Sequence, residues 1–203
     1  VVNDLKYTIA LARRIRRAGA QFLLDFHYSD TWADPGHQTK PKAWEGLSFD
    51  DLERKVETYT KSVMAEFRKA GVYPELVQVG NEITGGMIWP DGRSHSKKDP
   101  VGQWDRFARL VKAGIRGVVA TRRPADKTRI MLHVDCGGNR NRTKWFFDNV
   151  TKRGVEFDII GLSYYPWWHG TIKDLKRNLV STARDYKKDV IVVETAYPYR
   201  GAE

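Results

Sequence analysis

The chain has a single cysteine and no long apolar run. Cys136 is the only cysteine among the 203 residues, which excludes an internal disulfide and a cysteine-rich zinc site. No stretch of about 18 consecutive apolar residues occurs, and this argues against a membrane-spanning helix. The first residues have neither the basic start nor the apolar core of a signal peptide. They also lack an initiator methionine, so we expect the natural N-terminus to lie upstream.

Two motifs of common α/β enzymes are also missing. Gly85-Gly86 and Gly137-Gly138 are too sparse for a G-x-G-x-x-G phosphate loop, which disfavours a nucleotide-binding open sheet. Ser163 is placed at the end of a predicted strand but lacks the G-x-S-x-G turn of a serine hydrolase. No linker or low-complexity segment divides the chain, which suits one domain or part of a larger one.

Positive charge exceeds negative charge, with a net charge of +10 and a pI near 9.7. A basic balance of this kind is common in proteins that bind nucleic acid. The basic pairs, however, are scattered among acidic residues: Arg13-Arg14, Arg16-Arg17, Lys97-Lys98, Arg122-Arg123 and Lys187-Lys188. This pattern favours a solvated basic surface, so neither nucleic acid nor a membrane is expected as a partner.

Helical and strand patterns alternate along the chain. Apolar residues at helical spacing predict five helices, over residues 4–17, 49–70, 101–120, 143–151 and 174–186. Short apolar runs predict strands over residues 22–27, within 77–83, and over 129–135, 157–164 and 190–194. Continuous apolar strands that alternate with helices are typical of a parallel sheet covered on both faces.

Polar and aromatic residues follow every predicted strand, whereas the turns before the strands are short and plain. Both open α/β sheets and (β/α)8 barrels bind ligands at the carboxyl ends of their strands. The loop over residues 28–47 is unusually long, and such loops are often functional. The predicted class is α/β, with a (β/α)8 TIM barrel as its architecture. Five strands cannot close an eight-stranded barrel, so about three strands are expected to be missing.

Two glutamates stand at strand ends, Glu82 after the second strand and Glu194 at the end of the last. A buried carboxylate is costly to desolvate and usually has a partner or a task. Paired carboxylates indicate glycoside hydrolysis, in which one protonates the leaving oxygen and the other attacks the anomeric carbon or activates water. Asn81 is placed to hold a sugar 2-hydroxyl. The alternative is that each glutamate pairs with an arginine at the barrel mouth.

Tryptophans are concentrated in the predicted strand-to-helix loops. Flat apolar rings stack on sugars, so a carbohydrate cleft is expected there, although any single loop tryptophan can also serve packing. The loop tryptophans are Trp32, Trp44, Trp89, Trp167 and Trp168, whereas Trp104 and Trp145 fall on helices and are expected in the core.

Histidines and aspartates also cluster at strand ends. The set is His27, His133 and His169 with Asp25, Asp30 and Asp135. None has the close spacing typical of a metal site, so we predict polar partners for sugar hydroxyls and no metal or other cofactor. Tyr164 and Tyr165 end the strand before the Glu194 strand, and a tyrosine hydroxyl is expected to donate to that carboxylate. The alternative is a tyrosine packed in the barrel rim.

The motifs together resemble glycoside hydrolase family 53, the endo-β-1,4-galactanases of the large clan of (β/α)8 glycosidases. The resemblance is carried by Leu-Asp-Phe-His-Tyr-Ser-Asp-Thr-Trp-Ala-Asp-Pro-Gly over residues 24–36, followed by residues 38–41 and 43–44. It continues in Gln-Val-Gly-Asn-Glu-Ile-Thr over residues 78–84, and in residues 163–170 and 193–198. The first motif is very specific, whereas Gly-Asn-Glu alone identifies only the clan.

The resemblance implies that residues 1–203 are part of a single catalytic barrel, with strands three to seven present and strands one, two and eight missing. Glu82 then matches the acid/base and Glu194 the nucleophile of a retaining mechanism, with carboxyl groups about 5–5.5 Å apart. The implied substrate-binding residues are Asn81, His27, Asp30, Trp32, Trp89, His133, Asp135, Tyr164, Tyr165, Trp167 and Trp168.

The same resemblance implies β-1,4-galactan of pectic arabinogalactan as substrate, a secreted protein and a monomer. In the family, the second strand brings an arginine to the site and the eighth an aromatic platform. Two alternatives stay open from the residues themselves. One is a non-catalytic carbohydrate-binding barrel or an inactive truncated one, and the other is a related barrel glycosidase that acts on a different β-glycan.

Overall fold

The computed structural model describes residues 4–95 and 103–197, in which helices and parallel strands alternate. The helices are α1 (Leu5–Arg17), α2 (Phe49–Lys69), α3 (Trp104–Val119), α4 (Arg140–Lys152) and α5 (Ile172–Tyr186). The strands are β1 (Leu23–Phe26), β2 (Leu76–Val79), β3 (Gly86–Met87), β4 (Gly92–Arg93), β5 (Arg129–Val134), β6 (Ile159–Tyr164) and β7 (Asp189–Thr195).

Five of these strands form one parallel sheet in the order β1-β2-β5-β6-β7. Each strand pairs with the next one along the chain because a helix returns the chain to the same end each time. Leu24 lies beside Val77, and Ile160 lies beside Val190. This order places all five carboxyl ends, and the residues that follow them, along one edge. The predicted parallel α/β architecture is confirmed.

Side-chain caps fix where the helices begin. Asp4, Ser48 and Asn139 each accept a hydrogen bond from a backbone N–H of the first turn, and Thr171 forms a capping box with Asp174. Such caps satisfy N–H groups that have no partner within the helix. The Asn139 cap starts α4 at Arg140, three residues earlier than apolar spacing predicts, because its first turn is polar.

The core lies between the sheet and the helices. Val77 and Val79 of β2, Leu132 of β5 and Phe107 of α3 are all fully buried or nearly so. Burying a side chain of this size contributes about 1.5–3 kcal/mol. Trp104 is buried at 1% exposure and Trp145 is half-buried against it, so the core assignment of these two helical tryptophans is confirmed.

Two differences from the sequence-based expectation lie between β2 and α3. The predicted loop contains a short antiparallel hairpin, β3–β4, in which Gly86 pairs with Arg93. A side chain at Gly86 would place its Cβ 2.1 Å from the Gly92 carbonyl oxygen, so only glycine fits. The third helix begins at Trp104, and residues 101 and 102 of the predicted helix lie outside the described residues.

The surface charge follows the scattered pattern of the sequence. Arg109 and Arg116 of α3 both pair with Glu53 of α2, and Arg16 of α1 pairs with Glu75. Acidic partners therefore break up the positive surface. Among the described residues, no helix combines the length and the apolar character needed to cross a membrane.

Candidate active site

Glu82 stands in a strained turn directly after β2. The preceding Gly80 has φ of 85°, and a Cβ there would lie 2.5 Å from Cγ2 of Ile83. Glu82 itself is left-handed, with φ 47° and ψ 47°, and only 6% of its surface is exposed. A residue with a side chain seldom adopts this conformation, and such strain is concentrated at functional sites.

Glu194 reaches the same place from β7 through a β-bulge. Leu162 pairs with Val192, but Ser163 pairs with Glu194, so β7 carries one extra residue between the two pairs. An extra residue rotates the side chains that follow it. Without the bulge, alternation along the strand would place Val193 opposite Ser163. The bulge therefore brings the Glu194 carboxylate to the position beside Ser163.

The two carboxylates meet at His133. One oxygen of Glu82, one oxygen of Glu194 and one ring nitrogen of His133 all lie within 4.8 Å of one another. Three such groups are a possible metal set, but a metal would need a free ring nitrogen of His133 as one ligand. Both ring nitrogens of His133 already contact the protein, at 2.9 Å from Asn81 Oδ1 and 2.8 Å from Ser163 Oγ. The geometry favours proton chemistry over metal binding.

The surroundings of Glu82 favour its protonated form. Burial raises the pKa of Glu82 from a usual 4.5 to about 7, and the charges of Glu194, Asp135 and Asp34 add to the shift, whereas a hydrogen bond donated by Ser163 would oppose it. A carboxyl group with a pKa near neutrality is able to donate a proton at the pH of most enzymatic hydrolysis.

A hydrogen-bond chain behind Glu82 agrees with that protonation state. Asn81 Oδ1 is only an acceptor, so Nδ1 of His133 carries the proton between them. Nε2 of His133 then accepts the single proton of the Ser163 hydroxyl. Burial lowers the pKa of His133 to about 4, which keeps the ring neutral. With its proton committed to His133, Ser163 is left to accept from Glu82, so the bond between them favours the protonated acid rather than opposing it.

The tyrosine expected beside Glu194 is Tyr165. Its hydroxyl donates to Oε1 of Glu194 at 2.6 Å, and this bond, with burial and the nearby charges, raises the pKa of Tyr165 to about 12. The hydroxyl of Tyr164 instead donates to the Gly170 carbonyl at 2.9 Å, and the residue is 3% exposed. Tyr164 is therefore packed in the rim, the alternative considered for either tyrosine. This placement corrects its predicted contact with substrate.

His27 and Asp25 line the site from β1. Nε2 of His27 lies 3.0 Å from Oδ2 of Asp25, and Nδ1 accepts from the Ala33 N–H at 3.1 Å. Burial would lower the pKa of His27, but Asp25, Glu194 and Glu82 outweigh it and raise the pKa. The Ala33 bond requires Nδ1 to be unprotonated, so the form that fits this geometry is neutral, with Nε2–H donating to Asp25.

Three of the loop tryptophans are largely exposed. Trp32 is 66% exposed after β1, and Trp167 and Trp168 are 49% and 75% exposed after β6. Trp32 packs edge-on against His27, and Trp167 and Trp168 are grouped with Tyr165. The exposed rings therefore follow two different strands of the sheet, β1 and β6, at its carboxyl edge.

Other predicted ligands are engaged by the protein itself. Trp44 is buried against Tyr28 and Tyr59, which corrects its assignment to the cleft. Trp89 is half-buried, its indole N–H donates to Gly85, and Arg93 covers its ring. Asp30 is exposed and accepts from the Lys42 N–H at 2.7 Å.

Asp135 lies behind Glu82 rather than in the cleft. It is 5% exposed, and its oxygens accept from the hydroxyl of Thr84, the guanidinium of Arg142 and the thiol of Cys136. Its contact with substrate, predicted from the sequence, is replaced by a contact with the turn that follows Glu82. His133, at 1% exposure, is similarly a buried partner.

Two residues near Glu82 have no predicted role at the site, although both lie in the motifs that carry the family resemblance. Ser163 contacts His133 and lies beside Glu194 in the strand register. Gln38 is buried at 1% exposure and donates to the Asn81 carbonyl at 2.8 Å. It stands in a loop, where no periodicity marks it.

Comparison with known proteins places this geometry in a family. The sequence profile of glycosyl hydrolase family 53 matches residues 1–203. An uncharacterized protein in bgaB 5'region of Niallia circulans is 51% identical over 97% of this chain and 53% of its own length. The arabinogalactan endo-beta-1,4-galactanase of Thermothelomyces thermophilus is 37% identical over 96% of this chain and 58% of its own length.

A solved structure supports the same family. The Ignisphaera aggregans GH53 catalytic domain superposes with a TM-score of 0.89 at 35% identity, over 98% of this chain and 52% of that one. The chain therefore spans about half the length of the relatives it matches. Its five strands correspond to part of a barrel.

Proposed function

The chain belongs to glycosyl hydrolase family 53, and on that premise we propose that it carries the acid/base and the nucleophile of a retaining endo-β-1,4-galactanase. We also propose that residues 1–203 are part of a single catalytic (β/α)8 domain. Strands one, two and eight of that barrel would lie outside these residues. The proposal on domain organisation is supported by the relatives' greater length.

The observation that carries the mechanism is the approach of the Glu82 and Glu194 oxygens to within 4.8 Å. Retaining glycosidases hold their carboxyl groups about 5–5.5 Å apart, whereas inverting enzymes separate them by about 6.5–9.5 Å to admit a water molecule. The short separation supports direct attack by one carboxylate on the anomeric carbon.

Two displacements complete the proposed reaction. In the first, Glu82 gives its proton to the glycosidic oxygen while a Glu194 oxygen forms a bond to the anomeric carbon. The bond to the leaving sugar breaks with its electron pair, and a galactosyl-enzyme ester remains. In the second, Glu82, now a carboxylate, takes a proton from water, and the hydroxide attacks the anomeric carbon and releases Glu194.

The surrounding residues have supporting tasks in this proposal. The neutral His133 and Ser163 hold the proton of Glu82, and Tyr165 fixes the direction of Glu194. Asn81 Oδ1 already accepts from both Gln78 and His133, and its amide N–H₂ donates to Ala33. Asn81 therefore serves first as a support for His133, and any contact with a sugar 2-hydroxyl uses what donor capacity remains.

The exposed tryptophans define where the polysaccharide lies. We assign Trp32 and the pair Trp167 and Trp168 to sugar-ring stacking, because their rings are exposed at the carboxyl edge of the sheet. His27, whose two ring nitrogens are engaged by Asp25 and Ala33, supports the Trp32 ring through an edge contact. The proposed substrate is the β-1,4-galactan of arabinogalactan, by analogy with the relatives' names. As the family resemblance implies, we also propose an extracellular protein that acts as a monomer.

The test is hydrolysis of galactan by the full-length protein that contains this chain. Wild type, Glu82→Gln and Glu194→Gln are compared by release of reducing ends. The expected result is activity on β-1,4-galactan and a loss of at least about 10³-fold in each variant. Activity surviving in both variants overturns the proposal. Binding without turnover favours a carbohydrate-binding barrel, and preference for a mannan or glucan changes the substrate.

A further inference from the structure

We propose that Gln38 is a positioning residue for acid catalysis, holding the backbone that aims Glu82. The inference rests on the proposed role of Glu82 and extends it to a residue in a different loop. Gln38 lies between β1 and α2, 44 positions before Glu82 in the sequence, and its contacts join three separate segments.

The side-chain amide of Gln38 donates hydrogen bonds to two backbone carbonyls. Nε2 donates to the Asn81 carbonyl at 2.8 Å and to the Asp34 carbonyl at 3.0 Å. Its Oε1 is buried without a hydrogen-bond partner among the described residues. Rotating the amide would turn that oxygen onto two carbonyl oxygens, so the observed orientation is the one that the contacts allow.

The Asn81 carbonyl belongs to the peptide group that joins Asn81 to Glu82. That peptide determines φ of Glu82, which stands at the strained value of 47°. A strained conformation persists only where surrounding contacts hold it. The bond from Gln38 fixes the carbonyl side of this peptide, and the Asn81 side chain anchors the same residue to Ala33 at 2.8 Å. The loop after β1 therefore holds Asn81 through two hydrogen bonds, one to its backbone carbonyl and one from its side chain.

The backbone of Gln38 makes a separate contact. Its carbonyl accepts from the Trp89 N–H at 2.6 Å, which ties the loop to the β3–β4 hairpin. A side-chain substitution leaves this backbone bond in place. Gln38→Met keeps a similar length and removes both amide donors and the unpaired oxygen. It therefore tests the bonds that the side chain donates to Asn81 and Asp34 while the link to Trp89 remains.

Acid catalysis has a signature that a general loss of stability lacks. A poor leaving group needs the proton of Glu82 when its bond breaks, whereas 2,4-dinitrophenolate leaves without it. A variant with a misdirected acid thus loses kcat/KM on the poor leaving group and keeps it on the good one. Simple unfolding lowers both by the same factor.

The experiment uses the full-length protein with phenyl and 2,4-dinitrophenyl β-galactobiosides. Gln38→Met is compared with wild type, with Glu82→Gln as the reference for lost acid catalysis. The matched stability control is Thr182→Val, which removes a buried hydrogen bond to Asn178 in α5. For Gln38→Met we expect kcat/KM to fall at least 10-fold on the phenyl substrate and less than threefold on the dinitrophenyl substrate. Thr182→Val should change both equally.

Equal losses on the two substrates in Gln38→Met would overturn the inference. If Gln38→Met does not fold, Gln38→Glu, with nearly the same shape, is measured in the same way, and failure of both to fold assigns Gln38 to stability alone. The proposed function fails differently: wild type would not turn over either substrate, or Glu82→Gln would show no dependence on the leaving group.

Discussion

The Tyr165 hydroxyl lies 2.6 Å from Oε1 of Glu194 and donates a hydrogen bond to it. Tyr165 belongs to the loop after β6, and Glu194 lies on the neighbouring strand β7. The contact therefore fixes the orientation of one carboxylate from the adjacent strand. Beside it, the strained turn after β2 directs Glu82 into the same space.

Tyr165→Phe should weaken catalysis while leaving the fold intact. Hydrogen bonds to charged groups contribute about 1.5–3 kcal/mol, so kcat/KM on galactan should fall by about 10- to 150-fold. Tyr164→Phe is the matched control, because that hydroxyl donates to Gly170 and not to a carboxylate. Equal effects of the two substitutions on kcat/KM would contradict the assignment of Tyr165.

Asp135→Asn should move the alkaline limb of the activity profile to lower pH. The negative charge of Asp135 contributes to the raised pKa of Glu82, about 7, after burial and alongside Glu194. Removing that charge lowers the pKa of Glu82, so the acid loses its proton at a lower pH. The measurement is kcat/KM against pH.

Asp158→Asn is the control for that experiment, since Asp158 accepts from the Ile130 N–H at the start of the strands, the end opposite the site. The alkaline limb of the kcat/KM profile of Asp158→Asn should lie at the same pH as that of wild type. An unchanged limb in Asp135→Asn, or a shift to higher pH, would show that Asp135 does not act on Glu82.

Glu82→Gln should stabilise the protein at alkaline pH. The folded chain binds a proton at Glu82 up to a pKa of about 7, whereas the unfolded chain releases it near 4.5. Folding therefore takes up a proton between these values, and the free energy of unfolding falls as the pH rises through that window. Chemical denaturation at pH 8 should show a gain of about 2 kcal/mol for the variant, after allowance for solvent screening.

The same pair of proteins supplies the control. Below about pH 4, both folded and unfolded wild type are protonated at Glu82, so the difference between wild type and Glu82→Gln should nearly vanish. If the difference in the free energy of unfolding does not depend on pH, burial does not raise the pKa of Glu82.

Trp168→Ala should weaken binding more than turnover. A stacked aromatic contact contributes about 0.5–1.5 kcal/mol, so KM for galactan should rise about 2- to 10-fold with kcat little changed. Tyr7→Ala removes another exposed ring, 48% exposed on α1, and should leave KM unchanged. A rise in KM in the Tyr7 variant would indicate a general surface effect.

Much of this fold could be predicted from local sequence. The apolar runs at residues 129–134 and 159–164 lie within the predicted strands because both faces of a parallel sheet are buried. Glu82 and Glu194 stand out in the sequence because a carboxylate at the end of an apolar run is unusual. Their approach to within 4.8 Å depends on the bulge between Leu162 and Ser163. No pattern of apolar residues encodes that bulge.

The tryptophans show the limit of pattern reasoning. Trp44 and Trp32 stand in the same loop with similar neighbours, yet Trp44 is 5% exposed and Trp32 66%. The difference arises from Tyr59 of α2, which lies 15 positions after Trp44 and packs against it only once α2 has folded onto the loop. The contacts of Gln38 depend on the same kind of long-range placement. Sequence alone identifies such residues as candidates but not their partners.

The most direct test of the account is to trap the covalent intermediate. The full-length protein is incubated with 2,4-dinitrophenyl 2-deoxy-2-fluoro-β-galactobioside, whose fluorine slows hydrolysis of the galactosyl-enzyme, and the labelled peptide is identified by mass spectrometry. The account predicts one disaccharide attached to Glu194, and no label in Glu194→Gln. Attachment to Glu82, or release of a product with inverted anomeric configuration and no labelled peptide, would contradict it.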